Sequence, residues 1–382
     1  MTYEGATNPN EVGRKKLQDV SYDPFGLMPT AFPPRPRCFV SQEDVKRIKD
    51  LAAEESWARR GLERLEEAVS DPLDLPEEIP SSPESSLASR ACGQSMHLSL
   101  AATLTGRSEY RERAIEAFRF VSRVYLQTPV SENGGRLMGS GLAECAFTRQ
   151  LAWIYDLLST ENLNPEDDEL FRRTLRATRE TSKAHTHYSC GNHNTWSQVG
   201  QLAVGAALGC RQCVHDALYG YAVGERFRYG LIHHLRHDIL SDGMHWERAL
   251  GYHFYTLMGL TEAARQMEHL GVDLWHAELP AQTASDGDDL HRAYGPEGST
   301  KCLKTAFDAP FHMMFPGGDL TMLHDSGLAN LRGTYVWGII YELAMEAYDD
   351  PKYAWLLSKT DRDYADRQMP DLPVSLSANH GV

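Results

Sequence analysis

The 382-residue sequence has no run of about 18 consecutive apolar residues, so it offers no candidate membrane-spanning helix. It also lacks the Lys and Arg surplus of a general nucleic-acid binder. Its 38 basic against 53 acidic side chains leave a net charge of −15. A local basic cleft is still compatible with that balance, so a polyanionic ligand is not excluded. The seven cysteines, Cys38, Cys92, Cys145, Cys190, Cys210, Cys213 and Cys302, are too few and scattered for a disulfide framework. They are expected to be mostly buried thiols. Cys210-Arg-Gln-Cys213 has no second CxxC and is read as structural rather than redox or zinc-binding. Met1 to Asp19 is polar and lacks the apolar centre of a signal peptide. Localisation is therefore open: periplasmic or secreted if a leader was removed, otherwise cytoplasmic.

Period-two strands are almost absent, and helical periodicity dominates what remains. Five prolines between 24 and 36 exclude a long helix near the start, so 1–40 is expected to be an extended arm. Ser41-Gln-Glu-Asp has a capping hydroxyl followed by acids in the first turn. Asn164 and Pro165 open another helix, with Glu166 to Glu169 at its positive end and Arg176, Arg179 and Lys183 at its negative end. The predicted helices are 42–70, 91–105, 108–127, 141–159, 165–184, 193–209, 214–239, 245–270, 276–285, 298–308, 328–348 and 351–358. This all-α pattern of serial helices with short connections suggests hairpins stacked as a solenoid, bundle or closed toroid. The helical domain is expected over 41–360, followed by a C-terminal tail over 361–382.

Two segments concentrate polar and aromatic residues beside helices. In His185-Thr-His-Tyr-Ser-Cys-Gly-Asn-His-Asn-Thr-Trp196, the residues Asn192, His193 and Asn194 fall at a helix start. There, free amide donors favour an anion. The plain alternative is that Asn192 or Asn194 caps the helix. In Ser241-Asp-Gly-Met-His-Trp-Glu-Arg-Ala-Leu-Gly-Tyr-His-Phe-Tyr255, a turn at Asp242-Gly243 precedes a helix. On it Glu247, Arg248, Tyr252 and Tyr255 are expected on one face. The aromatics are equally compatible with core positions. His233 and His237 have the i, i+4 spacing of a zinc helix, but the position that should hold the basic Glu is His234. No metal and no cofactor are expected.

The ordered pair Asn192-His193-Asn194-Thr-Trp and Asp242-Gly-Met-His-Trp-Glu247-Arg-Ala-Leu-Gly-Tyr252-His-Phe-Tyr resembles the helical domain of heparinase II/III-like and alginate-type polysaccharide lyases. Leu104-Thr-Gly-Arg-Ser-Glu-Tyr110, Leu151-Ala-Trp-Ile-Tyr155-Asp156, Gly317-Gly-Asp319 and His324-Asp325-Ser326-Gly327 extend the resemblance over about residues 40 to 360. It implies an α/α toroid, an incomplete barrel of about six helical hairpins, without the C-terminal β-sandwich of larger relatives. It also implies β-elimination on an anionic, uronic-acid-containing polysaccharide or oligosaccharide of the alginate, glucuronan or heparan type. By the same resemblance, Asn192 and His193 neutralise the sugar carboxylate and Tyr252 is base and acid, with Tyr255 as fallback.

Arg248, Glu247, Tyr255, Trp196 and Trp246 are candidates for substrate binding. Arg90, Arg136, Arg149, Arg248 and Arg332 are the cations available to gather around a polyanion. Two other readings compete. In one, a non-catalytic toroid stacks sugars on Trp196, Trp246, Tyr252 and Tyr255. In the other, a glycoside hydrolase uses two of Asp242, Glu247 and Asp325.

Overall fold

The structure is a computed structural model, and it describes residues 17–76, 85–185, 191–224, 226–281, 299–324, 326 and 335–359. Helices dominate. In chain order they are α1 Gln42–Glu54, α2 Ser56–Ala68, α3 Ser85–Thr105, α4 Ser108–Gln127, α5 Gly141–Leu158, α6 Pro165–His185, α7 Asn192–Leu208, α8 Arg211–Tyr219 and α9 Leu231–His233. They continue as α10 Leu250–His269, α11 Leu303–Asp308, α12 Tyr335–Tyr348 and α13 Pro351–Lys359. Among the described residues, the only strands are two short antiparallel pairs. These are β1 Gly220–Val223 with β2 Arg226–Tyr229, and β3 Leu279–Pro280 with β4 Thr300–Lys301. No helix among the described residues is long and apolar enough to cross a membrane.

The chain divides into two compact units. One comprises Met1–Thr30, His187–Val199 and Val214–Tyr364; the other comprises Ala31–Thr186, Gly200–Cys213 and Ala365–Val382. In the second unit the caps form as the sequence suggests. Ser41 accepts from the backbone of Asp44, whose carboxylate returns a bond to the Ser41 N–H, closing a capping box. Asn164 Oδ1 accepts from Asp167 N at 2.8 Å at the start of α6. The α4 and α6 helices meet through Phe118 and Phe171, both fully buried, with ring centroids 4.4 Å apart. Burying each ring contributes about 1.5–3 kcal/mol. Asp156, on α5, takes the backbone N–H groups of Arg37 and Cys38 at 2.6 and 2.9 Å and so pins the irregular 31–40 segment.

Several expectations need correction. The helix expected over 42–70 breaks at Glu55 into α1 and α2. The one expected over 214–239 ends at Tyr219, because Gly220 has φ +98° and lies against the opposite strand. A Cβ there would stand 2.3 Å from the Arg228 carbonyl oxygen. The chain then forms the β1–β2 hairpin, the short α9 and one turn of π-helix, His234–Asp238. The helix expected over 298–308 is reduced to α11, and 276–281 carries β3 rather than the start of a helix. Cys210 and Cys213 are joined by a disulfide, against the expectation of structural thiols; Cys38, Cys92 and Cys145 are buried thiols. Cys190 lies outside the described residues.

Candidate active site

The first unit brings the two conspicuous segments together. Gly191, with φ +81°, holds the position just before α7, and its carbonyl accepts from Asn194 N and Thr195 N at 3.1 Å each. Asn192 and His193 are therefore the first two helical residues. Neither asparagine is the cap. Asn192 Nδ2 reaches Glu247 Oε1 at 3.4 Å, and its buried Oδ1 has no hydrogen-bond partner among the described residues. Asn194 turns inward: its Nδ2 donates to Tyr229 O at 2.6 Å and lies 2.8 Å from His234 Nε2. Gln198 donates to Asn194 Oδ1 at 3.2 Å and to Tyr229 O at 2.8 Å.

This polar chain ends on Asp238, a residue the sequence reading passed over. Asp238 is fully buried, and its Oδ2 accepts from Gly191 N at 3.0 Å and lies 2.7 Å from His234 Nδ1. Its Oδ1 lies 3.0 Å from His237 Nδ1. Burial alone would raise this carboxyl, but His234 and His237 hold it well below the usual carboxylate range. The geometry assigns His234 a proton on Nδ1, facing Asp238, which leaves Nε2 to accept from Asn194. The Asp238 carbonyl in turn accepts from Trp246 N at 2.8 Å. One buried residue thus ties the Gly191–His193 turn to the approach of α10. No sequence signal marks it beyond its place after His237, because the bond that ties it to the start of α7, from Gly191 N, spans 47 positions of the chain.

The approach to α10 is not helical. The expectation of one helix from 245, with Glu247 and Arg248 one turn before Tyr252, is corrected: α10 begins at Leu250. Arg248 has φ +55° and donates its N–H to His245 O at 2.8 Å, forming a turn. The first N–H of α10, Leu250 N, is capped from a distance by Ser326 Oγ at 2.8 Å. Tyr252 is then the third helical residue and is partly exposed.

The α7 and α10 helices pack side by side and run in the same direction. Asn192 faces Glu247, Trp196 meets Tyr255 with ring centroids 5.2 Å apart, and Thr195 and Val199 lie against Gly259. A Cβ at Gly259 would stand 2.9 Å from Thr195 Cγ2, so glycine permits this approach. The two N-terminal ends, each the positive end of a helix dipole, consequently lie at the same end of the pair.

Other expected site residues are placed less favourably. Trp196 is only 1% exposed and Tyr255 8%, so both serve as core packing and offer no ring face to a sugar in this conformation. Trp246, Glu247, Arg248 and His193 are partly exposed. In the second unit Arg149 is 1% exposed, donates to Ala146 O at 2.7 Å and stacks on Trp153, which removes it from the cations available to a polymer. Arg136 is engaged by Thr181 Oγ1 and Thr128 O. Arg332 and Asp325 lie outside the described residues.

The alginate lyase family model matches residues 76–295, more than half of the chain. No curated protein matches the sequence. Among solved structures, an alginate lyase from Bacteroides ovatus is similar at 11% identity, with 89% of this chain and 98% of that chain covered and a TM-score of 0.55. That likeness, together with the helix content, bears out the all-α, α/α-toroid fold class. Alginate lyase A1-III from Sphingomonas species A1 is similar at 14% identity over 73% of this chain and 78% of that one, with a TM-score of 0.47. A variant of A1-III complexed with a tetrasaccharide matches at 15% identity, covering 74% and 78%, with a TM-score of 0.46.

Proposed function

The chain belongs to the alginate lyase family and is a polysaccharide lyase, and from that premise we propose that it cleaves a uronic-acid-containing polysaccharide by β-elimination at the paired N-terminal ends of α7 and α10. The observation that carries the reading is the parallel packing of those helices, which puts Asn192, His193 and Tyr252 on one end of one unit. The C5 proton of a uronate is very weakly acidic while the neighbouring carboxylate keeps its full charge. Donors from Asn192, His193 and the start of α7 would share that charge as it grows toward an enolate-like state, which is electrostatic catalysis of the oxyanion-hole type.

Tyr252 then takes the C5 proton. The C4–O bond breaks, a C4–C5 double bond forms, and the same phenol returns a proton to the departing glycosidic oxygen. An ordinary phenol, with a pKa of about 10, is a poor base at neutrality. Tyr252 sits in the first turn of α10, where the positive end of the helix dipole favours negative charge. Glu247 accepts from Asn192 Nδ2 and so restrains that largely buried amide at the start of α7.

The test is incubation with alginate, glucuronan and heparan-type chains, followed by near-ultraviolet absorbance and product masses. Unsaturated ends on at least one polymer are expected. Reducing ends gained without a double bond would replace elimination by hydrolysis. Binding of a glycan without product would leave a carbohydrate-binding toroid.

A further inference from the structure

We propose that His233, His237 and Asp238 form a divalent-cation site of the zinc class, which clamps the π-turn to the Gly191–His193 segment. Each side chain offers one ligand atom, and these atoms all lie within 4.8 Å of one another. His237 Nδ1 and Asp238 Oδ1 stand 3.0 Å apart in a hydrogen bond, which an ion would replace by giving up the Nδ1 proton and opening the pair to the roughly 3.4 Å between two donors on tetrahedral zinc. Two imidazoles and one carboxylate suit zinc, with a water in the fourth place; calcium or magnesium would need more oxygen donors.

A second observation points to a ligand independently. The His233 ring is only 3% exposed, and its Nδ1 has no hydrogen-bond partner among the described residues. Leaving such an atom buried and unpaired costs about 1–3 kcal/mol, which coordination of an ion would offset. Stacking on Tyr229, with centroids 4.0 Å apart, fixes the plane of the His233 ring; the partly exposed His237 ring, stacked on it at 4.6 Å, would turn to bring its in-plane lone pair to the same ion.

The surroundings complete the arrangement. Asp238 would present Oδ1 to the ion while Oδ2 keeps Gly191 N and His234 Nδ1, the outer hydrogen bonding that orients ligating carboxylates. His237, with 14% of its side chain exposed, provides the route from solvent.

The experiment uses the full chain, stripped with a chelator and dialysed against zinc, with bound metal counted by elemental analysis. One zinc per chain is expected, together with a rise in the thermal midpoint and, with cobalt, the visible absorption of a tetrahedral site. His237→Ala, at a partly exposed position, should keep the fold and lower zinc affinity by at least about 100-fold, since even outer hydrogen-bond partners of a ligand are worth 10–100-fold. His233→Ala should do the same. Substoichiometric zinc, a midpoint that zinc does not move, or uptake unchanged in His237→Ala would each overturn the site; the last would place the ion elsewhere among the 16 histidines. None of these readouts depends on lyase activity.

Discussion

Asn192 Nδ2 contacts Glu247 Oε1 at 3.4 Å across 55 positions of sequence, joining the start of α7 to the turn that precedes α10. The contact constrains where the Asn192 amide points. Glu247→Ala removes the acceptor and frees the amide to rotate, and a misplacement of about 1 Å at a reacting group costs on the order of 10²-fold in rate. The expected outcome is a kcat lower by about that factor with an unchanged circular dichroism spectrum. Glu247→Gln, which keeps an acceptor oxygen, should recover much of the loss. Steady-state rates of unsaturated product on the best polymer measure both; equal losses in the two variants would mean that charge, not position, is what Glu247 supplies.

Tyr252→Phe deletes one hydroxyl at a partly exposed position in the first turn of α10. Proton transfer by a positioned side chain contributes about 10²–10⁴ in rate, so turnover should fall by that amount while polymer binding, followed calorimetrically, stays close to wild type. Tyr255→Phe is the contrast. That ring is buried against Trp196, and its replacement should alter turnover by less than about tenfold. A wild-type rate in Tyr252→Phe, with loss in Tyr255→Phe, would exchange their roles.

Most helices were legible because their ends are written locally. Ser41 with Asp44, and Asn164 with Pro165, carry cap chemistry that needs no tertiary partner. The failures sit where tertiary contacts override local preference. Trp246-Glu-Arg-Ala-Leu250 is made of fair helix formers, yet His245 N is bound to His253 Nδ1 at 3.1 Å and Arg248 is left-handed, so the helix waits until Leu250. Gly220 and Gly224, on either side of Tyr221, Ala222 and Val223, were the available sign of the β1–β2 hairpin. Of the candidate site, the two segments stood out by composition, while Asn192, His193 and Tyr252 within them were singled out by the family resemblance. Asp238 and His234 did not stand out, because their importance lies in hydrogen bonds to residues some forty positions earlier.

His253 gives the fold an acid-sensitive point. Burial lowers its pKa to about 4, against the opposing pull of its bond to Ala306 O. The ring donates from Nε2 to that carbonyl at 3.0 Å and accepts the His245 N–H at Nδ1, so a second proton has no place. In the unfolded chain the same imidazole takes its proton near pH 6.5. Between pH 6.5 and 4 the unfolded state therefore binds more protons, and stability is lost as the pH falls through that window. The slope from this one residue is about 1.4 kcal/mol per pH unit, roughly 3 kcal/mol in all. Urea unfolding at pH 7, 6 and 5 measures it. In His253→Gln, which can keep a donor and an acceptor, the slope should shrink by that single-proton contribution.

Two glycines in the same stretch should respond to alanine in opposite directions. Gly243 has φ +86°, and a Cβ there would stand 2.1 Å from the Thr305 carbonyl oxygen, a backbone atom that cannot swing aside. Gly243→Ala combines left-handed strain with that collision and should cost about 3 kcal/mol or more. Gly251 is the second residue of α10, is exposed, and has nothing within 4 Å of its Cβ position. There alanine only removes unfolded-state freedom and should add about 0.5–1 kcal/mol. Thermal midpoints of the two variants test the packing directly. A Gly243→Ala protein as stable as wild type would mean that the turn before Trp246 does not press against α11, and the placement of Glu247 beside Asn192 would lose its support from below.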